Sequence, residues 1–475
     1  MLTYVDLTQG AHWWPEKVRR PAVTEPIEEL VRRKLSRRGF LKAGAAGVSL
    51  AAGAPLLSAC FGSAPGSSSG GKTLRLLLWA HFVPAYDKYF TAYCDAWGKK
   101  NNVTVIVDHV PTATVVIHFA SEVAAGSGHD LVQLQEDSQI AVFKDHLLDL
   151  TDLANKIGSA NGPWNKATNL FAIFDGKWLG LPEFYIQYPG LYRKDLFDAN
   201  HLTDPPLTFQ NLLDAGRVMK PKGNYIGIGF GSDPDSQIAA MMLLWNQGGA
   251  SFVDKTGTKS TISSPETLDT LRFVKTLFDE ALSPEVLSWN DFGNNQALDA
   301  GVASFILNPI SAYRSASADL QSKIYVSPPP GGPGVANLGS YGEVPKAGSP
   351  LMGVNYQSWV MPKWSKQRDL AKQFLTDYFD QLPAAFQAST GYNFPVLQKF
   401  TQKPMPILGT DPKLNLLQDT NNNAVTNTWP AAASPALGAV FDNYVLSTMF
   451  NRACAGEAPE KSMAWADQQL KALLK

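Results

Sequence analysis

The sequence predicts an α/β fold in which strands and helices alternate along the chain. Short apolar or alternating runs at residues 73–79, 103–110 and 130–134 have the length and composition of strands. Helical spacing of large apolar side chains fills the two intervals between them, at about residues 85–100 and 113–125. Strands that alternate with helices of this length favour a doubly wound, parallel sheet flanked by helices. The 475-residue chain is long enough for two such domains or lobes.

Residues before the first strand have the features of an export leader. Residues 36–42 read SRRGFLK, and the pair Arg37 and Arg38 is the signature read by the twin-arginine exporter. The uncharged, apolar run at 43–57 is shorter than the roughly 20 residues that a membrane-spanning helix needs. It ends before Cys60 in Leu-Ser-Ala, which resembles the lipobox of bacterial lipoproteins. We therefore expect residues 1–60 to be a twin-arginine lipoprotein signal peptide, with Cys60 as the lipidated residue.

The segment after Cys60 and the charge of the remaining chain limit its partners. Residues 61–72 are rich in Gly and Ser, which predicts a flexible tether. Without residues 1–59 the chain keeps 32 basic and 37 acidic side chains, a mildly acidic balance that argues against a nucleic-acid partner. No later stretch reaches 18 apolar residues, so the lipid is the expected membrane attachment, and two acyl chains on one cysteine anchor stably.

Few residues suggest metal, redox or catalytic chemistry. Cys94 and Cys454 are the cysteines that remain beside Cys60, and the sequence leaves open whether they pair. The histidines lack ligand spacing, so we expect no metal. The chain shows no nucleophile elbow, zinc-protease motif, dinucleotide fingerprint or P-loop, and we expect no cofactor and no catalytic residue.

Polar and aromatic side chains follow two of the predicted strands. Ligands of open α/β sheets bind beyond the carboxyl ends of the strands. This rule places residues 79–81, which begin with Trp79, and the run Gln135, Glu136 and Asp137 at a candidate ligand rim.

Three motifs in the middle of the chain occur in a fixed order. Residues 180–185 read GLPEFY, residues 190–197 read GLYRKDLF, and residues 205–213 read PPLTFQNLL, with Thr208 placed to cap a helix. This order resembles the family 1 extracellular solute-binding proteins, the maltose-binding-protein-like receptors of ABC importers. Their pattern is G-x-P, then Y-[RN]-K-D-L-[FL], then P-x-T-[WF]-x-x-L.

Further segments match the family in its order, and together they extend the resemblance over nearly all of residues 73–475. They are NQGG at 246–249, SPE at the start of a helix at 264–266, ASFILNP at 303–309, the run 353–361 with Ser365 as a helix cap, GYNFPV at 391–396, and PE at 459–460 before the C-terminal helix.

The resemblance implies a two-lobed periplasmic-binding-protein fold of type II, in which each lobe is a doubly wound sheet flanked by helices. Crossings between lobes are expected near Ile186, Pro350 and Pro395. They would give an N-terminal lobe of residues 73–185 and 350–394, and a C-terminal lobe of residues 186–349 and 395–475. A ligand in the cleft would select the closed state by contacting both lobes.

A sugar presents hydroxyl groups on its rim and C–H groups on its faces, so its site needs carboxylates or amides together with flat aromatic rings. The residues that we expect at such a site are Trp79, Gln135, Glu136, Asp137, Phe184, Tyr185, Gln187, Asp233, Asp235, Trp245, Asn308, Asn355, Tyr356, Tyr392 and Trp429. Alternatives remain open for several of them. Glu136 and Asp137 also fit a solvated loop, Asp233 and Asp235 fit helix capping, and Trp245 fits the core.

One segment departs from the family pattern. Maltose-type members carry a stacking Trp after an Asn-Gly-Pro turn, whereas residues 308–310 read Asn-Pro-Ile. The missing glycine and aromatic ring argue against a maltooligosaccharide and leave other mono- and oligosaccharides and sugar derivatives.

The predicted function is a lipid-anchored receptor that captures a carbohydrate by hinge closure and delivers it to the permease of an ABC importer. Its expected place is the outer face of the cell membrane or the periplasm, and its expected state is a monomer. The same fold binding a polyamine or another small solute is the first alternative. The second is a secreted carbohydrate-active hydrolase, which would need a carboxylate pair such as Glu136 and Asp235.

Overall fold

The computed structural model describes residues 72–203, 205–337, 349–405, 408, 410–419 and 423–475. The predicted leader, with Arg37, Arg38 and Cys60, and the tether up to residue 71 lie outside the described residues.

The strands of the described residues are short, and most are fully buried. They are β1 Lys72–Trp79, β2 Val103–Val110, β3 Leu131–Leu134, β4 Ile173–Phe174, β5 Lys177–Trp178, β6 Leu181–Ile186, β7 Gly190–Arg193, β8 Tyr225–Gly227, β9 Ala303–Leu307, β10 Ile324–Ser327, β11 Met352–Gly353, β12 Asn355–Val360, β13 Phe394–Pro395 and β14 Ala424–Val425.

The α-helices surround these strands and range from one turn to five. They are α1 Pro84–Asn101, α2 Val115–Ala125, α3 Gln139–Phe143, α4 Thr151–Asn161, α5 Lys194–Ala199, α6 Phe209–Met219, α7 Pro234–Met242, α8 Pro265–Ala281, α9 Gly293–Asp299, α10 Ser311–Ser315, α11 Ala318–Lys323, α12 Arg368–Phe379, α13 Leu382–Ala388, α14 Pro435–Asp442, α15 Val445–Cys454 and α16 Pro459–Leu473. A π-helix, Leu243–Gly248, continues α7, and a 3₁₀ helix spans Pro333–Asn337.

A six-stranded sheet in the order β13-β6-β12-β3-β1-β2 forms what we call the first lobe. The predicted parallel arrangement is confirmed for β1, β2 and β3, which pair in parallel register from Lys72↔Val103 and Leu76↔Leu131. Strand β12 runs antiparallel to both β3 and β6, so the complete sheet is mixed. Helix α1 packs on β2, and α2 packs on β1 and β3.

A four-stranded sheet in the order β10-β7-β9-β8 forms the second lobe. Strand β7 pairs antiparallel with β10 and β9, and only β8 and β9 run parallel. The second sheet is therefore also mixed. The C-terminal helix α15 packs on α7, α8 and α16, which places the end of the chain on this lobe.

The chain passes between the lobes three times. It leaves the first sheet after β6 and enters the second at β7, and it returns between β10 and β12. The third passage lies later than the expected position near Pro395. Val396 O accepts from Asn165 N at 2.7 Å, and Gln398 N donates to Pro163 O at 3.0 Å, so this segment still belongs to the first lobe. Strand β14 pairs with β11 in a separate two-stranded sheet at the crossings.

Glu183 shows how the first lobe is held together. Its carboxylate is fully buried in β6 and accepts hydrogen bonds from four side chains, each at 2.8 Å or less: Tyr86, Gln133, Trp359 and Tyr378. A buried charge is tolerated when hydrogen bonds replace its water. This network joins α1, β3, β6, β12 and α12.

The structure also settles the pairing of the two cysteines and the predicted helix caps. Cys94 and Cys454 are buried free thiols, so they do not pair. Thr208 and Ser264 are side-chain caps of α6 and α8, accepting from Asn211 N and Thr267 N. Ser365 is not the cap of α12, because that helix begins at Arg368 and the Ser365 hydroxyl donates to Asp130 at 2.7 Å.

Candidate functional site

A cavity of about 260 Å³ lies between the two lobes, and both lobes line it. The first lobe and the first crossing contribute Trp79, Phe82, Thr112, Gln135, Glu136, Ile186, Tyr188, Asn355, Gln357 and Tyr392. The second lobe contributes Pro234, Asp235, Asp291, Phe292, Asn295, Gln296, Asp299, Asn308, Pro309, Ser311 and Ser315.

The first-lobe wall is built at strand ends. Trp79 is the last residue of β1, and Gln135 and Glu136 directly follow β3. Gln135 is fixed on both sides, because its Nε2 donates to Thr112 Oγ1 at 2.5 Å and its backbone oxygen accepts from Gln357 Nε2 at 3.1 Å. Each parallel strand ends at the same edge of the sheet, which brings these side chains together as the strand-end rule predicts.

The second-lobe wall contains a chain of amides and carboxylates. Asn294 Nδ2 is shared between Asp235 Oδ2 at 3.0 Å and Asn308 Oδ1 at 2.7 Å. Asn308 Nδ2 in turn donates to Asn295 Oδ1 at 2.6 Å. The network therefore orients Asp235 at the start of α7 against the end of β9.

The lobes touch beside the cavity. Phe82 of the first lobe and Phe292 of the second meet edge-on, with ring centroids 5.8 Å apart. Tyr188 lies on the first crossing, where its hydroxyl accepts from Asn355 Nδ2 at 3.3 Å and also bonds to Asp235. Aromatic and polar contacts therefore span the cleft between the two lobes.

The cavity is rich in carboxyl groups whose pKa values are raised. Burial, with Asp137 and Asp442 nearby, raises the pKa of Glu136 well above its ordinary value. Burial, with Asp291 and Asp233 nearby, does the same to Asp235. Burial raises the pKa of Asp291 to about 6. Among the described residues that line the cavity, none is Lys, Arg or His.

Seven of the fifteen residues expected at a sugar site line this cavity: Trp79, Gln135, Glu136, Asp235, Asn308, Asn355 and Tyr392. They combine carboxylates, amides and flat rings, which is the set that binding of a sugar requires. That they contact a ligand stays a prediction.

The polar residues among the other eight have partners elsewhere. Asp137 accepts from the backbone N–H groups of Tyr356 and Asn427. Asp233 is the N-cap of α7 and accepts from Ser236 N at 2.9 Å, the capping role that the sequence left open. Gln187 Nε2 points to Leu417 O at 3.3 Å.

The aromatic residues among the eight are core. Phe184, Tyr185, Tyr356, Trp245 and Trp429 are each at most 3 % exposed. Tyr185 and Tyr356 pack on each other with centroids 5.3 Å apart, and Trp245 and Trp429 meet edge-on at 5.6 Å. Consecutive strand residues point to opposite faces, so a run such as Phe184 and Tyr185 packs both faces of a covered sheet.

Sequence reasoning missed most of the second-lobe wall. Asp291, Phe292, Asn295, Gln296 and Asp299 lie in α9 or the loop before it. The signal that was available is the density of Asn, Asp and Gln with one exposed Phe between residues 290 and 299. Nothing local assigns that segment to the cleft, because α9 is placed there by its packing on β9.

The described residues show neither a metal-binding cluster nor a membrane-spanning helix. No group of three or more His, Cys, Asp or Glu side chains in that part of the chain is arranged to hold a metal ion. No helix there has the length and apolarity needed to cross a bilayer.

The chain matches one protein family over most of its length. The family described as bacterial extracellular solute-binding protein matches residues 92–415. A relative from Deinococcus radiodurans, named "Probable ABC transporter-binding protein", is 26 % identical over 387 residues, covering 77 % of this chain and 86 % of the relative.

Solved structures share the fold. A solute-binding protein from Thermotoga lettingae bound to α-D-tagatose superposes with a TM-score of 0.69 at 18 % identity, covering 85 % of this chain and 100 % of that one. Maltose-bound MalE3 of T. maritima gives a TM-score of 0.70 at 18 % identity, with 84 % and 99 % covered. The expected two-lobed α/β fold is thereby confirmed.

Proposed function

Because the chain belongs to the bacterial extracellular solute-binding proteins, we propose that it is the receptor of an ABC importer for a carbohydrate. It would capture a mono- or oligosaccharide, or a sugar derivative, by closing its lobes and would then present the ligand to the permease. The observation that carries this proposal is the cavity lined from both lobes by amides, carboxylates and aromatic rings. A ligand that contacts both walls stabilises the closed arrangement over the open one.

The composition of the walls suits a polyhydroxylated solute. Gln135, Asn295, Gln296, Asn355 and Gln357 supply amide groups that can both donate to and accept from a hydroxyl. Rings on both sides of the cleft supply apolar faces for C–H groups. Tagatose and maltose in the two similar structures are ligands of this kind, which supports the same class for this chain.

A binding screen tests the proposal. We expect the melting temperature of the purified protein to rise with one saccharide of a panel of neutral and amino sugars, sugar phosphates and spermidine. A ligand at a hundred times its dissociation constant adds about 2.7 kcal/mol to the free energy of unfolding. A folded protein that no saccharide stabilises, or one that turns over a glycoside, would contradict the proposal, and turnover would favour the hydrolase.

A matched pair of variants assigns the binding to the cavity. Gln296 is an exposed residue of α9 that lines the cavity, and Gln210 is an exposed residue of α6 outside it. Gln296→Ala should weaken saccharide binding by about fivefold to tenfold, the value of one hydrogen bond. Gln210→Ala should leave the affinity unchanged. Equal effects of the two substitutions would place the binding elsewhere.

We further propose twin-arginine export and lipid anchoring, with the protein acting as a monomer beside its permease. The support is the sequence of residues 36–60, with Arg37, Arg38 and Cys60 in the order of such leaders. The full chain produced in a bacterium should partition into detergent, and Cys60→Ser should move it to the aqueous phase. Export should stop when Arg37 and Arg38 are both replaced by Lys. Partitioning of the Cys60→Ser protein into the detergent phase would contradict the lipid anchor.

A further inference from the structure

The charged side chains that line the cavity in the described part of the chain are all acidic. Glu136 on the first-lobe wall and Asp235, Asp291 and Asp299 on the second-lobe wall carry carboxyl groups. No Lys, Arg or His is found among the described residues that line it. Glu136, Asp235 and Asp291 share a space of about 260 Å³ without a cation, so they repel one another and lose hydration, and both effects disfavour their charged forms. Asp299 has the guanidinium group of Arg193 nearby.

These carboxyl groups are only partly satisfied by the protein. Asp235 accepts from Asn294 Nδ2 at 3.0 Å and bonds to the Tyr188 hydroxyl, whereas Glu136 accepts from Asn427 Nδ2 at a long 3.3 Å. Asp291 Oδ1 has no hydrogen-bond partner in the described part of the chain. Neutral amides balance none of this charge, so the walls hold a formal negative charge that a bound cation would neutralise.

Two other buried groups also lack partners and belong to the same cavity. Gln357 and Trp79 are each 2 % exposed and line it, yet Gln357 Oε1 and Trp79 Nε1 bond to nothing among the residues described. An unpaired buried acceptor and an unpaired buried donor are costly, which points to a ligand that supplies both. A hydroxyl group can do so, whereas the ammonium groups of a polyamine can donate to Gln357 Oε1 but cannot accept from Trp79 Nε1.

Resting on the carbohydrate-receptor function proposed above, we propose that the ligand is a sugar or cyclitol with at least one protonated amine. The amine lies between Glu136 of the first lobe and Asp235 and Asp291 of the second. The ring hydroxyls bond to the amides, including Gln357. The aromatic walls also suit a cation, because ammonium groups are attracted to the faces of Trp and Tyr. A neutral sugar can donate hydroxyl groups to the carboxyl groups but cannot balance their charge, and a simple polyamine would leave Trp79 Nε1 without an acceptor.

Pairs of ligands that differ in one group test the amine directly. Calorimetry on the purified protein would compare glucosamine with glucose, galactosamine with galactose, and the glucosamine dimer with cellobiose, with spermidine as a further arm. We expect an amino sugar to bind at least tenfold more tightly than its hydroxyl counterpart, the value of a hydrogen bond to a charged group. Its affinity should fall with added salt.

The outcomes separate this inference from the function on which it rests. Equal or tighter binding of a neutral sugar overturns the amine and leaves the carbohydrate receptor standing. Binding of spermidine alone overturns the sugar scaffold. No binding of any saccharide by the folded protein overturns both proposals.

The substitution Asp291→Asn tests whether Asp291 binds the amine of the ligand. Asp291 makes no side-chain hydrogen bond through Oδ1, so the amide can replace the carboxyl group with little disturbance. This variant should lose about tenfold in affinity for the amino sugar and little for the neutral one, reducing the preference. Asp269→Asn, at a residue whose side chain is 76 % exposed on α8, should change neither affinity. An unchanged preference in Asp291→Asn contradicts the proposed placement of the amine.

Discussion

Asp137 accepts hydrogen bonds from two backbone N–H groups far from it in the chain, Tyr356 at 3.2 Å and Asn427 at 2.8 Å. Tyr356 lies in β12 and Asn427 follows β14, so one buried carboxyl group joins the end of β3 to two segments at the crossings. Burial raises the pKa of Asp137 to about 7, although both backbone bonds favour the charged form. Since both of its oxygens accept from backbone N–H groups, Asp137 holds the crossing segments together. Its neighbour Glu136 instead lines the cavity.

Asp137→Asn places an amide NH₂ against one of the two backbone N–H groups. We expect the lost hydrogen bond and the unpaired donor to lower the free energy of unfolding by about 1–3 kcal/mol. Urea denaturation followed by circular dichroism measures this change. Asp269→Asn is the surface control and should stay within about 0.5 kcal/mol. A variant as stable as the parent would show that these bonds do not hold the crossings.

Sequence reasoning could place Glu136 and Asp137 after a strand, but it could not separate their roles. The distinction depends on the partner of Asp137, Asn427, which lies 290 positions later in the chain. The same limit applies to Trp245 and Trp429. Each fits a stacking residue locally, and only the packing of one against the other makes both of them core.

The π-helix Leu243–Gly248 is the element that holds the second crossing. Asn246 Nδ2 donates to Pro330 O at 3.2 Å and to Leu351 O at 2.9 Å, and its Oδ1 accepts from Leu351 N at 2.8 Å. The adjacent 3₁₀ helix, Pro333–Asn337, lies very close, and a Cβ added at Gly334 would lie 2.0 Å from Gly249 N. Glycine is required there because two backbones touch.

Asn246→Ala removes all three side-chain bonds at once and leaves the buried Leu351 N–H without its partner. We expect a loss of about 2–4 kcal/mol in the free energy of unfolding, from unsatisfied backbone groups and the small cavity together. Exposed Asn415→Ala serves as the control. Equal stability of Asn246→Ala and Asn415→Ala would show that Asn246 does not hold this crossing.

Local pattern predicts the elements better than their arrangement. Strands β1 to β3, helices α1 and α2, and the caps Thr208 and Ser264 follow from apolar spacing and cap residues within a few positions. The position of β12 between β3 and β6 does not, because antiparallel insertion of a late strand depends on contacts more than 170 positions apart. The first-lobe residues of the cavity could be predicted for the same reason, because they directly follow predicted strands. Helix α9 could not be placed at the cavity in this way, because its position depends on its packing on β9.

The carboxyl groups of the cleft make the stability of the ligand-free protein depend on pH. Burial, with Asp233 nearby, raises the pKa of the Asp291 carboxyl group to about 6. An unfolded Asp ionises near about 3.9. Between these values the folded chain binds more protons than the unfolded chain. The stability that this group contributes is therefore complete below about pH 4 and is lost as the pH rises through about 6.

Asp291→Asn should therefore match the ligand-free parent in stability at about pH 4 and exceed it at pH 7 by about 1–3 kcal/mol. Urea unfolding of both proteins at the two pH values measures the difference. The comparison cancels the opposite contribution of His81, whose pKa burial lowers to about 4. A stability difference that does not grow with pH would show that the Asp291 carboxyl group is not buried beside Asp233 in the folded protein.

The position of β12 also sets a time order for synthesis. Strand β12 ends at residue 360 and lies between β3 and β6, so the ribosome must complete the second sheet before the first can close. Until then β3 and β6 each present an unpaired edge, which is open to pairing with other chains. The leader emerges first, yet the fold that it is proposed to export cannot exist until almost the entire chain has been made. A nascent chain stalled before residue 355 should accordingly be held by chaperones, whereas only a chain that includes α15 and α16 can complete both lobes.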